Sequence, residues 1–162
     1  MKKIYLLLLT VTCFSQAQTS NKLKINSMLD KWHAAAAQSN FNDYFNLLTS
    51  SAVFIGTDAT ENWTKDQFMT YAKPYFDLKK GWKFTTLQRH IYLTQNGQHA
   101  WFDELLSTQM KLCRGSGFLV KTKIGWRIQH YVLSMTIPNT NVTEVTQIKS
   151  AEEDALLLKM TK

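Results

Sequence analysis

The element order of this chain predicts an α+β fold: a curved antiparallel sheet of about four to six strands, packed with three N-terminal helices that cover one of its faces. Three observations predict it. Helical periodicity and caps gather in the first half, interrupted by one short apolar strand. Alternating strands separated by turn signals fill 83–137. No repeat, linker or low-complexity stretch divides the chain, and 162 residues with 44% hydrophobic and only 2 Pro suffice for one core.

The first 17 residues read as a leader rather than as fold. Lys2 and Lys3 precede the apolar run "IYLLLLTVTCF", which is too short to span a bilayer, and "SQA" (15–17) offers small residues for cleavage. The expected organisation is a Sec-type signal peptide at 1–17, cut near Ala17–Gln18, a domain at 18–140 and a helical tail at 141–162. That organisation implies a secreted or periplasmic protein with no membrane attachment after cleavage. Cys13 does not make a lipobox, because Thr10, Val11 and Thr12 precede it. Cleavage leaves Cys113 as the single cysteine, so no intrachain disulfide is expected.

The formal charge is +7, with the lysines scattered along the sequence. No cluster of the kind that tracks a phosphate backbone is visible, so a nucleic-acid partner is not expected.

Each element has its own signal. Leu29, Trp32 and Ala36 recur at helical spacing within 20–38. Asn40 is placed to cap a short second helix that buries Phe41, Tyr44, Phe45 and Leu48. "SAVFIGT" (51–57) reads as a strand and "DATENW" as a loop. Thr64 and Gln67 form a capping-box pattern, followed by Phe68, Tyr71 and Tyr75, with Pro74 expected to end or kink the helix. Asn96–Gly97 predicts a tight hairpin in which paired positions sum to 193, setting Arg89 opposite Glu104 and His90 opposite Asp103. A second hairpin turns near Ile124–Gly125, Pro138 stops the sheet, and Val142, Val145 and Ile148 suggest a terminal helix.

With these elements placed, "WHAAAAQSNFNDYFNLLTSSAVFIGTDATENW", "AWFDELL", "CRGSGFLVKT" and "GWRIQHYVLSMTIPN" together resemble the nuclear transport factor 2-like superfamily, in its SnoaL-like branch, over residues 26–138. The resemblance implies a cone closed by three helices around an internal pocket. Dimers are common in that superfamily, and it holds both enzymes and non-catalytic proteins, so the fold names no reaction.

The pocket candidates follow from strand alternation. Arg89, Ile91, Phe102, Glu104 and Leu106 share the more apolar face, expected to point into the cone; His90, Tyr92, Trp101 and Asp103 share the other. Arg89 with Glu104 is either a structural ion pair at the cone rim or a polar anchor for a ligand. Ile128, His130, Val132 and Ser134 fall on one side of the last strand. If Lys121 pairs with Trp126, Gly117 faces His130, which leaves either a pocket or a bend. The expected ligand-pocket set is His33, Arg89, Trp101, Glu104, Arg114 and His130, with His130 and Glu104 as the candidates for proton transfer. The four histidines show no metal-ligand spacing, "RGSG" is not followed by a helix, and no metal or cofactor is expected. The first functional expectation is a domain binding a small, partly apolar ligand. The alternatives are an isomerase-, dehydratase- or cyclase-type enzyme and a non-catalytic dimerisation or partner-binding module, a homodimer being the expected assembly.

Overall fold

Local capping fixes the helical half. A computed structural model describes residues 2–161, with side chains described from residue 18 on, so the leader expected at 1–17 and its cleavage point lie outside the residues described in full. Helix α1 (Lys2–Ala37) stops where Ser39 takes a left-handed φ of 53° and Asn40 N–H returns to the Ala35 carbonyl at 2.8 Å. Asn40 then caps α2 (Phe41–Asn46) by accepting from Asp43 N–H. After strands β1 (Leu48–Ile55) and β2 (Asn62–Thr64), α3 (Lys65–Asp77) opens on the full Thr64–Gln67 capping box. Pro74 does not end α3 at its own position. The helix runs on to Asp77, and Leu78 N–H closes on the Pro74 carbonyl at 3.1 Å, because proline lacks a donor but keeps its acceptor.

The remaining strands are β3 (Thr85–Leu93), β4 (His99–Thr108), β5 (Lys111–Thr122) and β6 (Gly125–Met135). With β1 and β2 they form one open six-stranded sheet in the order β2-β1-β6-β5-β4-β3. Pairing is antiparallel except between β1 and β6, which run parallel and are joined by the long stretch that holds β2, α3 and β3 to β5. The Asn96–Gly97 turn, with Gly97 at φ 64°, delivers the predicted register: Arg89 pairs with Glu104 and His90 with Asp103. A turn at 109–110 that carries no Gly, Pro or Asn separates β4 from β5. It is held by Met110 N–H on Thr108 Oγ1 (2.9 Å) and by Lys111 at φ 69°. The chain ends in a 3-10 turn (Asn139–Asn141) and α4 (Val142–Met160), none of whose residues is buried.

The helices cover the concave face of the sheet, and the space between is filled. Ile25, Leu29, Trp32 and Ala36 of α1, Tyr44 and Phe45 of α2, and Phe68, Ala72 and Phe76 of α3 meet Phe102, Leu106, Leu119, Ile128 and Tyr131 of the sheet. Each large apolar side chain so buried stabilises the fold by about 1.5–3 kcal/mol. Helix α3 buries a face one step round from the expected one: Phe68 is inside, but Tyr71 and Tyr75 stay 42% and 44% exposed.

Candidate functional site

The centre of the concave face is a carboxylate with every oxygen occupied. Glu104, fully buried on β4, accepts from His33 Nε2 (2.9 Å) and the Tyr131 hydroxyl (3.1 Å) at Oε1, and from Arg89 Nε (3.0 Å) at Oε2. Arg89 spends its remaining donors on Asp30 Oδ1 (2.7 Å), Asn26 and Thr86 Oγ1. Burial alone would raise the Glu104 pKa, but the His33 hydrogen bond and the charges of His33 and Arg89 outweigh it and hold the group below its ordinary value. Burial first, then the charge of Glu104, pushes the Tyr131 phenol well above its usual range, so it stays a donor.

Arg89, Glu104 and His33 thus come together as the sequence suggested, but His130 does not join them. A β-bulge explains this. Lys121 pairs with Trp126 as expected, yet Leu119 pairs with Ile128 and Phe118 with His130, which leaves Gln129 as an extra residue. The bulge inverts the alternation beyond it. Tyr131 and Leu133 turn inward, whereas His130 and Val132 face outward beside Val53, Ile55 and Phe118. Gln129 holds the bulge in place. It accepts from Thr49 Oγ1 (2.8 Å) and donates to the Ser51 carbonyl (3.0 Å), across a stretch where β1 also shifts register.

The glycines therefore lie opposite other partners than expected: Gly117 pairs with Tyr131 and Gly115 with Leu133. The room they leave is occupied, since a Cβ on Gly115 would collide with the Tyr131 hydroxyl and one on Gly117 with the Phe102 ring. Trp101 and Arg114 also fall outside the cone. Trp101, 47% exposed, stacks on Tyr92 with ring centroids 5.5 Å apart, and Arg114 is an exposed residue of the convex face. Tyr131, the fourth member of the Glu104 cluster, lies on the outer face by simple strand alternation, and only the bulge turns it inward.

Open space lies instead at the wide end of the cone. A cleft of about 730 Å³ runs over Tyr71, Tyr75 and Trp82, with Lys80, Lys83 and Gln109 at its edge. It adjoins a recess of about 160 Å³ lined by Trp63, Phe68, Phe84, Met110 and Glu61, the two sharing Tyr71, Trp82 and Gln109. The rings are ordered against each other: Trp63 stacks on Tyr71 (4.6 Å) and on Phe68 (5.5 Å), and Phe68 on Trp82 (5.8 Å). Among the described residues, no cluster of three or more His, Cys, Asp or Glu could hold a metal ion, and no helix is long and apolar enough to cross a membrane.

An open, curved six-stranded sheet with helices packed on one face is the architecture of the nuclear transport factor 2-like class. Within it, the chain belongs to the SnoaL-like domain family, whose model matches residues 25–138. An NTF2-like protein of unknown function from Pseudomonas putida KT2440 superposes with a TM-score of 0.64 at 12% identity, covering 75% of this chain and 90% of that one. A domain of unknown function with a cystatin-like fold from Nostoc punctiforme gives 0.64 at 14% identity, over 88% and 95%. A candidate dehydratase of the NTF2-like family from Streptomyces avermitilis gives 0.63 at 12% identity, over 75% and 99%. These likenesses show the fold alone. No curated protein matches the chain.

Proposed function

We propose that this domain binds a small, partly apolar ligand without transforming it, in the aromatic cleft at the wide end of the cone. The observation that carries this reading is the contrast between a saturated carboxylate and an open aromatic surface. Both Glu104 oxygens are already accepting, and the His130 imidazole lies on the opposite face of the sheet, so the two candidates for proton transfer cannot meet one substrate atom. The cleft offers Tyr71, Tyr75 and Trp82 as flat apolar contacts and Gln109 and Lys80 as polar ones, the mixture small-molecule sites use. A neutral aromatic probe, 1-naphthol, tests it. Tyr71→Ala with Tyr75→Ala, both partly exposed positions, is expected to weaken saturable binding about tenfold, as lost aromatic contacts do. Naphthol binding that ignores this double change, or never saturates, refutes the reading.

The convex face supports a second role, self-association. Tyr92, Trp101 and Phe118 are exposed together there, with His99 stacked on Phe118 at 5.5 Å. Sedimentation of the chain and of Trp101→Glu tests this: a dimer that Trp101→Glu converts to monomer supports it, and a monomer at all concentrations rejects it. Both roles sit with the expected secreted or periplasmic address.

A further inference from the structure

A different flank of α1 borders a groove that neither reading uses. Two adjoining cavities of about 510 and 410 Å³ share Lys31, Leu47 and Arg127, and they run along α1 from Leu23 to Gln38. At 1.5 Å per helical residue that is about 22 Å, long and narrow rather than round. Its floor is apolar: Met28, Leu47 and the face of Trp126. Its walls are cationic: Lys24 and Lys31 from α1 and Arg127 from β6.

These charges are uncompensated. Among the described residues none of the three forms an ion pair, and the Arg127 Nη1 hydrogen bond goes to the Trp126 carbonyl (2.8 Å). Lys65 adds to the field. Its pKa is lowered first by partial burial and further by Arg127, against the opposing pull of Asp66, so two cations are crowded here. The acid in the groove is Asp43 at its far end, already accepting from Asn40 Nδ2 at 2.6 Å. Trp126, which borders the groove, has a buried indole N–H with no acceptor. Like-charged groups left to face each other over an apolar floor attract an anion that also carries hydrocarbon.

We propose that this groove binds a single-chain anionic amphiphile, with its head group at Lys31 and Arg127 and its tail over Met28, Leu47 and Trp126. The head falls where the two cavities meet, and the tail follows the apolar floor of the larger one. The site is independent of the aromatic cleft on the other side of the cone.

Calorimetric titration of the chain with dodecanoate, below micelle-forming concentrations, tests the proposal against dodecyltrimethylammonium and acetate. Dodecanoate is expected to saturate one site, with the cationic amphiphile and the tail-less anion at least about tenfold weaker, since charge-assisted contacts and tail burial are both required. Lys31→Gln with Arg127→Gln is expected to weaken dodecanoate about tenfold or more. Ser27→Trp, at an exposed position of the groove wall, leaves the charges and blocks the tail with a similar loss, and it decides the matter if the double variant fails to fold. Tyr75→Ala, in the aromatic cleft, is expected to leave dodecanoate binding unchanged. Dodecanoate binding that survives the groove variants, or equal binding of the ammonium amphiphile, overturns the proposal. So does a short polyglutamate peptide that depends on Lys31 and Arg127 but not on Ser27→Trp, which would assign the groove to acidic peptide instead.

Discussion

Two neighbouring acid–base pairs on the same two strands live in opposite worlds. Arg89 faces Glu104 on the concave side; one residue along, His90 faces Asp103 on the convex side. The first pair has side chains 5% and 0% exposed, the second 58% and 35%, though the contact distances are nearly the same: 2.9 Å in both cases. Distance therefore says little about what each pair contributes. Glu104 has lost its water and replaced it with His33, Tyr131 and Arg89, so removing any member leaves a buried group stranded. Asp103 can return to solvent at almost no cost.

The largest expected effect that would test this contrast is Glu104→Gln, which leaves the Arg89 guanidinium buried against a neutral amide. It should lower unfolding free energy by about 3–5 kcal/mol in urea titration. Gly115→Ala comes next, because its methyl group would push against the Tyr131 hydroxyl and Glu104 Cγ; about 1–3 kcal/mol is expected by the same assay. Tyr131→Phe removes one hydrogen bond to a charged acceptor and should cost about 1.5 kcal/mol. Acid should act on the same centre. The folded-state pKa of Glu104 lies below its ordinary 4.5, so its contribution is complete above that value and is lost as pH falls through the lower, folded pKa. Stability of the natural chain should therefore drop with acid below about pH 4.5 more steeply than that of Glu104→Gln. The smallest effect belongs to Asp103→Asn, at most about 1 kcal/mol. Equal losses from Glu104→Gln and Asp103→Asn would erase the distinction between the two faces.

The helices, the first hairpin and the Arg89–Glu104 pairing could be read from residues because their signals are local. Asn40, Thr64 with Gln67, and Asn96–Gly97 each fix their own geometry through a hydrogen bond or a positive φ within a few positions. His33 reaches Glu104 through the packing of α1 on the sheet, which its own neighbours in the sequence do not encode. What local signals do not carry is the effect of one strand on another. Nothing around Gln129 marks a bulge; its cause is the hydrogen bonding of Gln129 to Thr49 and Ser51, roughly eighty residues earlier. The 109–110 turn carries no turn-forming dipeptide, because its chemistry comes from Thr108. Likewise Lys24, Lys31 and Arg127 look scattered along the chain, and only the packing of α1 beside the start of β6 gathers them.

The single supernumerary residue in β6 has an implication for how such interiors diversify. What the carboxylate of Glu104 meets is decided by where the register shifts, not by side-chain replacement. Pairing Gln129 regularly with Phe118, so that the bulge is smoothed out and no residue is lost, would set His130 opposite Gly117 and bring a second imidazole to Glu104 where the Tyr131 phenol now stands, without altering any amino acid.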